Sequence, residues 1–281
     1  MSTYNQLIHQ YRKQFMEKGL SPELVKAFLF ELCNDHKTNL YLELDKEADK
    51  EVQKEFEKGV VRLMNNEPMN YVLGYSYFYG YKMIVNQDVL IPRPETEELV
   101  GLVLSRYDEF YSGKQINICD VGTGSGAIAI ALKKEEPKLQ VYASDISEKA
   151  LLTAKENARI NGCEITFLCG SMLEPYIEKG IKVDILVSNP PYIKTVEQIE
   201  SSVYDFEPHV ALFGGSDGLK FYREILSHAK EILNENALAF FEMGYDQKDA
   251  LTDLVHDFFP EAAVSVFKDI NGKNRMLMLK L

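Results

Sequence analysis

Over the first 70 residues the apolar positions return every three to four places. Tyr4, Leu7, Ile8, Tyr11 and Phe15 form one stripe, closed by Gly19, which is the spacing of a helix that buries a single face. Ser21-Pro22-Glu23 supplies a cap with proline at the first helical position and opens a second stripe of Val25, Phe28, Leu29 and Leu32. A short helix is expected over 39–44. Asp45 then caps a longer one carrying Val52, Phe56, Val60 and Leu63, which Pro68 ends. Residues 1–70 are therefore expected to form a small bundle whose stripes are its own core.

From residue 71 the period changes. Tyr75, Tyr77, Tyr79 and Tyr81 alternate, with Gly74 and Gly80 as breaks, which predicts a β-hairpin linker over 71–88. A second domain is expected over 89–281. It opens on Val89-Leu90-Ile91-Pro92-Arg93-Pro94-Glu95-Thr96-Glu97-Glu98, a rigid proline turn feeding a helix with an acidic first turn. Beyond it, short apolar runs predict strands at 116–121, 141–143, 165–168, 183–187, 237–242, 263–267 and 275–279, with helices at 219–233 and 247–259. Such alternation makes an α/β domain with a mostly parallel sheet and helices on both faces. The last two strands, joined through Ile270-Asn271-Gly272-Lys273, are expected to be an antiparallel hairpin.

Ligands in such sheets sit beyond the carboxyl ends of the strands, and three features fall there. The first is Gly122-Thr123-Gly124-Ser125-Gly126, between the strand ending at Val121 and the helix opening at Ala127. Glycines at that turn let a ligand approach the backbone, and the helix terminus adds partial positive charge. The second is Asp145, twenty-one residues beyond Gly124, where a carboxylate can take both hydroxyls of a ribose. Because Gly122-x-Gly124-x-x-Ala127 also satisfies the looser dinucleotide fingerprint, the loop alone leaves NAD and S-adenosylmethionine both open.

The third feature, Asn189-Pro190-Pro191-Tyr192, follows the apolar run from Val183. An Asn side-chain oxygen and the Pro190 carbonyl can each accept a hydrogen bond from one NH2 group. The prolines fix φ and remove competing donors. Tyr192 offers a flat face for a conjugated amide or base, with its hydroxyl expected to be free for a polar partner. Hydride transfer has no use for an amide-gripping Asn, whereas methyl transfer from a sulfonium does, so the tetrad selects an amino-group methyltransferase. An amide nitrogen is a poor nucleophile until it is oriented, and orientation can lower a barrier by roughly 7–11 kcal/mol. No His or Lys adjoins the tetrad, in keeping with a reaction that needs little general-base help.

Composition narrows the classes. The chain of 281 residues is long enough for two domains. No apolar run reaches membrane-spanning length, and Met1-Ser2-Thr3-Tyr4 does not open a signal peptide, so a cytoplasmic protein without membrane attachment is expected. Cys33, Cys119, Cys163 and Cys169 show no CxxC spacing and the five His are scattered, so neither a disulfide frame nor a metal site is expected. The net charge is −12, and Lys133-Lys134 is followed at once by Glu135-Glu136. Phosphate binding needs clustered cations, so direct nucleic-acid binding is not expected. The acidity suits a cationic cofactor, a basic protein partner, or solubility alone.

With these pieces in place the chain resembles the release-factor glutamine methyltransferases, the HemK/PrmC family. The resemblance runs in order through Glu67-Pro68-Met69-Asn70-Tyr71-Val72-Leu73-Gly74, Phe78-Tyr79-Gly80, Leu90-Ile91-Pro92-Arg93-Pro94-Glu95-Thr96-Glu97, the glycine loop, Asn189-Pro190-Pro191-Tyr192-Ile193, Glu207-Pro208, Gly214-Gly215, Asp217-Gly218-Leu219, Glu242-Met243-Gly244 with Gln247, and Lys268-Asp269-Ile270-Asn271-Gly272. It implies a seven-stranded, Rossmann-like methyltransferase sheet with a small all-helical N-terminal domain that helps hold the substrate protein. It also implies methyl transfer from S-adenosylmethionine to the Gln amide of the Gly-Gly-Gln motif in peptide chain release factors, with S-adenosylhomocysteine as product. By position, Gly122, Thr123, Gly124, Ser125 and Gly126 would line the methionine part, Asp145 would hold the ribose, and Asn189 to Tyr192 would grip the Gln amide, Asn189 touching both ligands. Many members carry Asp and an aromatic residue beside the adenine; Ser171-Met172 stands there in this chain, with Met172 able to pack on the ring. Arg93, Glu95 and Thr96 fit either the methionine end or a structural turn, Phe78 fits hairpin packing, and His209 an ordinary loop. The expected assembly is a monomer.

Two other functions share parts of this pattern. The tetrad also occurs in adenine amino-methyltransferases acting on nucleic acid, against which the acidic charge stands. A non-catalytic, cofactor-sensing partner of translation would have no need of an intact Asn189 and Tyr192.

Overall fold

The computed structural model describes residues 2–281. The chain divides into two compact units. One is the chain through Tyr75 together with Ile199–Phe206, the other is Ser76–Gln198 together with Glu207–Leu281.

The first unit is helical: α1 (Tyr4–Glu17), α2 (Glu23–Asp35), α3 (Leu40–Glu43), α4 (Lys50–Met64), α5 (Met69–Leu73) and, from the later segment, α10 (Ser201–Phe206). Thr3 caps α1 through a reciprocal pair with Gln6, satisfying two otherwise orphaned donors. The stripes meet as expected in a core of Phe15, Val25, Phe28, Leu29, Val52, Phe56 and Val60. Phe28 stacks on Phe56 with ring centres 5.8 Å apart, and Gly59 makes room for it, since a Cβ there would lie 2.1 Å from Phe28 Cζ. Four details depart from the sequence pattern. Pro22, not Ser21, stands at the cap position of α2, and no side chain caps that helix. Asp49, not Asp45, caps α4, accepting from Glu51 N at 2.8 Å and Val52 N at 3.2 Å. The backbone around Asp45 is drawn off into contacts with the start of the chain, Asn5 N to Leu44 O and Ala48 N to Ser2 O, so the helix cannot begin there. Residues 69–73, of which 71–73 were assigned to the hairpin, form α5, closed by Gly74 at φ 81°. Asn66 Nδ2 donates to Ser201 Oγ at 2.8 Å, and nothing in the sequence pattern anticipates that 199–206 joins this unit.

The two-stranded hairpin is β1 (Tyr75–Phe78) and β2 (Tyr81–Ile84). Its turn residues Tyr79 and Gly80 both have positive φ, the conformation whose twist matches flanking strands.

The second unit carries β3 (Asn117–Val121), β4 (Gln140–Asp145), β5 (Thr166–Cys169), β6 (Val183–Ser188), β7 (Leu233–Glu242), β8 (Ala263–Lys268) and β9 (Asn274–Lys280). They form one sheet in the order β5-β4-β3-β6-β7-β9-β8. The first four pairings are parallel, and β9 runs antiparallel to both β7 and β8. Alternate residues of each strand point to opposite faces. Ile118, Ile185 and Phe240 pack against α6 (Pro94–Tyr111), α7 (Ala127–Glu135) and α8 (Glu148–Asn161). Cys119, Leu186 and Phe241 face α9 (Glu174–Glu178), α11 (Lys220–Ile232) and α12 (Lys248–Phe258). Phe78 is buried in the first of these layers, as hairpin packing requires. Among the described residues no helix is long and apolar enough to cross a membrane.

Candidate active site

Parallel pairing of β4, β3, β6 and β7 brings the ends of these strands to one edge, and with them Asp145, Gly122, Asn189 and Glu242. After β3 the chain turns through Gly122, Gly124 and Gly126, with φ of 74°, 54° and 83°, values that favour glycine. Gly122 N and Thr123 N donate to Ser144 O at 2.9 and 2.8 Å, which pins the loop to β4. A Cβ built on Gly122 or Gly124 would meet none of the described residues within 4 Å; the bare backbone there borders a cavity of about 280 Å³. Gly126 differs, lying close to Ala154, whose Cβ would be 3.1 Å from one added at Gly126. It serves helix packing.

Asp145 lines the cavity. Its Oδ2 accepts from Gly124 N at 2.8 Å and its Oδ1 from Ser147 N at 2.9 Å, leaving lone pairs on both oxygens for further donors. Burial raises its carboxyl above the ordinary range, against the pull of those amides. Behind it, Asp120 is buried at the end of β3 and accepts from Thr123 Oγ1 at 2.5 Å. Its Oδ1 has no partner among the described residues, and burial pushes its pKa up to about 7. Thr123 therefore spends its hydroxyl on Asp120. Ser125 is buried, and its carbonyl accepts from Asn157 Nδ2 at 2.9 Å. Of the five loop residues expected to line the cofactor, only Gly122 and Gly124 border the cavity.

At another part of the cavity wall stand Ser171, Met172 and Glu224. Ser171 Oγ donates to Glu224 Oε1 at 2.8 Å, so a carboxylate reaches this wall from α11 beside a serine. Met172 takes a left-handed backbone, φ 41°, and its carbonyl accepts from Ser144 Oγ at 3.4 Å.

β6 runs one residue further than its apolar pattern, to Ser188, whose hydroxyl donates to Val121 O at 2.7 Å. Asn189 follows immediately and lines the cavity, as does Pro191; Pro190 is buried. Asn189 Nδ2 donates to Thr96 Oγ1 at 3.1 Å, and Thr96 donates to Glu242 Oε2 at 2.6 Å. Tyr192 donates its hydroxyl to Glu242 Oε1 at 3.2 Å, so the polar partner expected for that hydroxyl is a carboxyl group of the protein itself. Burial raises both the tyrosine and the Glu242 carboxyl above their ordinary values.

The trace of the tetrad is clamped from behind. Gln247 Nε2 donates to both Tyr192 O and Gly218 O at 3.2 Å, and its Oε1 accepts from Gly244 N at 2.8 Å. A Cβ on Gly214 would lie 2.4 Å from Pro191 O, and one on Gly218 2.3 Å from Tyr192 O, so only glycine fits in either place. Arg93 pairs with the buried Glu207, which also accepts from Ile91 N at 3.4 Å. Arg93 thus belongs to a structural turn, while Thr96 belongs to the tetrad's network. Glu242, Gln247 and Glu224 were not singled out from sequence for these contacts. The available signs were the carboxylate ending the apolar run Leu238-Ala239-Phe240-Phe241 and the place of Glu242 and Gln247 in the motifs of the family resemblance.

This strand order, with a glycine turn after the central strand and a carboxylate after its neighbour, is that of a Rossmann-like methyltransferase. A methyltransferase from Pyrococcus furiosus shares the fold at 16% identity, covering 78% of this chain and 96% of that one with a TM-score of 0.51. The methyltransferase small domain family matches residues 102–206, and the PrmC N-terminal domain family matches residues 6–74. The release factor glutamine methyltransferase of Bacillus anthracis is 38% identical over 94% of both chains, and that of Staphylococcus aureus 34% identical over 100% of both. The chain belongs to the release factor glutamine methyltransferase family.

Proposed function

We propose that this chain transfers a methyl group from S-adenosylmethionine to the side-chain amide nitrogen of the Gln in the Gly-Gly-Gln motif of peptide chain release factors. The observation that carries the proposal is the place of Asn189, at the end of β6 on the wall of the same cavity that Gly122, Gly124 and Asp145 line. Membership of the family favours a protein amide over the base amine that such a tetrad would also accept.

The residues present fit the cofactor. Bare glycine backbone at Gly122 and Gly124 leaves space for the methionine part, and the Asp145 oxygens are each held by one amide with lone pairs left for a ribose diol. When bound, S-adenosylmethionine supplies a methyl carbon made electrophilic by its sulfonium sulfur. The protein's task is orientation. Asn189 Oδ1, which has no hydrogen-bond partner among the described residues, accepts one N–H of the substrate amide. The Pro190 carbonyl accepts the other, and the Tyr192 ring covers the amide plane. Held from two sides, the nitrogen keeps its remaining direction open to the methyl carbon, and the methylated amide, strongly acidic at nitrogen, sheds its extra proton to solvent.

Residues 1–70 dock the body of the release factor, and residues 89–281 perform the chemistry beyond the linker at 71–88. The enzyme works as a monomer in the cytoplasm. Incubation with labelled cofactor and a purified release factor, followed by mass analysis of the Gly-Gly-Gln peptide, tests the proposal. One added methyl on the Gln is expected; an unmodified Gln under conditions where the cofactor binds overturns it.

A further inference from the structure

We infer that Glu242, acting through Thr96, fixes which way round the Asn189 side-chain amide faces, so that its oxygen and not its nitrogen is offered to the substrate. The consequence for catalysis rests on the glutamine-methylation reading above; the geometry rests on hydrogen-bond accounting within the protein.

An ionised carboxylate only accepts, a hydroxyl has a single proton to donate, and a primary amide donates at nitrogen and accepts at oxygen. Glu242 is buried and has a hydroxyl at each oxygen, Thr96 at 2.6 Å and Tyr192 at 3.2 Å. Thr96 must give its one proton to Glu242. What remains at Thr96 Oγ1 is lone pairs, so the Asn189 group 3.1 Å away must be the donor, Nδ2. Asn189 Oδ1 is thereby turned the other way, on a residue that lines the cavity. A reversed amide would set two acceptors against each other at Thr96 and present NH2 to the substrate NH2, which loses the clamp entirely.

The source of this polarity is itself well held. Glu242 ends β7 and its backbone carbonyl accepts from the Tyr222 hydroxyl at 2.7 Å; burial raises its carboxyl above the ordinary value, while the Thr96 and Tyr192 hydroxyls and the Arg275 guanidinium pull it back toward the ionised form. Thr96 is 5% exposed on the first turn of α6, so water does not compete freely for its oxygen. Glu242 and Thr96 are positioning residues, with no contact to the reacting atoms.

The test compares Thr96→Val, Thr96→Ser and Glu242→Gln in the full chain. Valine keeps the shape of threonine without the hydroxyl, serine keeps the hydroxyl without the methyl, and glutamine can donate as well as accept, so it permits either amide orientation. The first readout is the Asn189 side-chain NH2 signal in nitrogen-15 NMR spectra of the protein with S-adenosylhomocysteine and no release factor. It is expected to show a hydrogen-bonded, exchange-protected proton in the wild type and Thr96→Ser, lost in Thr96→Val and Glu242→Gln. The second readout is turnover on a release factor: kcat is expected to fall about 100-fold in Thr96→Val, the scale of a small misplacement at a reacting centre. Thr96→Ser is expected to stay within about threefold of wild type, and S-adenosylhomocysteine affinity by calorimetry to change by less than about threefold in all variants. Wild-type turnover and an unchanged Asn189 signal in Thr96→Val would overturn the inference, as would a loss in Thr96→Ser equal to that in Thr96→Val. If Thr96→Val fails to fold, Glu242→Gln decides by the same two readouts. Should the wild type bind cofactor yet leave the release factor unmethylated, the functional reading falls, while the Asn189 signal still decides the relay.

Discussion

The Tyr192 hydroxyl donates to Glu242 at 3.2 Å, tying the ring that follows the two prolines to the carboxylate at the end of the neighbouring strand. The ring proposed to cover the substrate amide is thus held at its far end by a buried carboxyl group. Tyr192→Phe keeps the ring and leaves one carboxylate oxygen without its donor. Stability is expected to drop by about 1–3 kcal/mol, measured by chemical denaturation, with cofactor affinity retained. Tyr192→Ala is expected to lose methyl transfer as well, because the stacking face goes with the hydroxyl. Equal stabilities for Tyr192→Phe and wild type would show that the contact contributes nothing.

Asp145 accepts from Gly124 N and Ser147 N while lining the cavity. Asp145→Ala is expected to weaken S-adenosylhomocysteine binding by about 10- to 100-fold, the scale of lost hydrogen bonds to a charged group. Calorimetry with the wild type as reference measures this. An unchanged affinity would remove Asp145 from the cofactor's ribose.

Asp120 sets a pH dependence of stability. Burial raises its folded pKa to about 7, against an unfolded value of about 3.9. The native state therefore holds the proton more tightly than the unfolded chain. The stabilisation this gives is complete below the unfolded value and is lost as pH rises through about 7. Asp120→Asn cannot ionise, so its stability relative to wild type is expected to improve from pH 5 to pH 8. Denaturation midpoints at the two pH values measure it, and parallel profiles would contradict the assignment.

In the helical unit, a methyl group at position 59 has nowhere to go, since it would lie 2.1 Å from the Phe28 ring, which is itself stacked on Phe56. Gly59→Ala improves helix propensity by about 1 kcal/mol yet is expected to lower the denaturation midpoint, because overpacking costs about 1–3 kcal/mol or more. A raised midpoint would show that the Phe28 ring moves aside cheaply.

The parts of the fold that were legible in sequence are those in which one chain segment determines its own pattern. The apolar runs ending at Val121, Asp145 and Val187 placed three strand ends, and with them Gly122, Asp145 and Asn189. What was not legible depends on groups far apart in the chain. Thr96 and Glu242 are 146 residues apart, and no local spacing announces that their side chains meet. Nor could sequence tell that Thr123 and Tyr192 would spend their hydroxyls on Asp120 and Glu242, since a hydroxyl's partner is decided by the fold. Asp45 and Asp49 are equally good caps by type. The choice fell to Asp49 because residues 44–48 hydrogen-bond to the start of the chain.

Methyl transfer to a release factor by wild type and Asn189→Ala, read by mass analysis of the Gly-Gly-Gln peptide beside calorimetric cofactor affinity, tests most directly whether Asn189 orients the substrate amide at the cavity. The expected result is a fall in methylation of about 100-fold or more through lost orientation, with cofactor affinity weakened far less. Methylation at the wild-type rate by Asn189→Ala would contradict it.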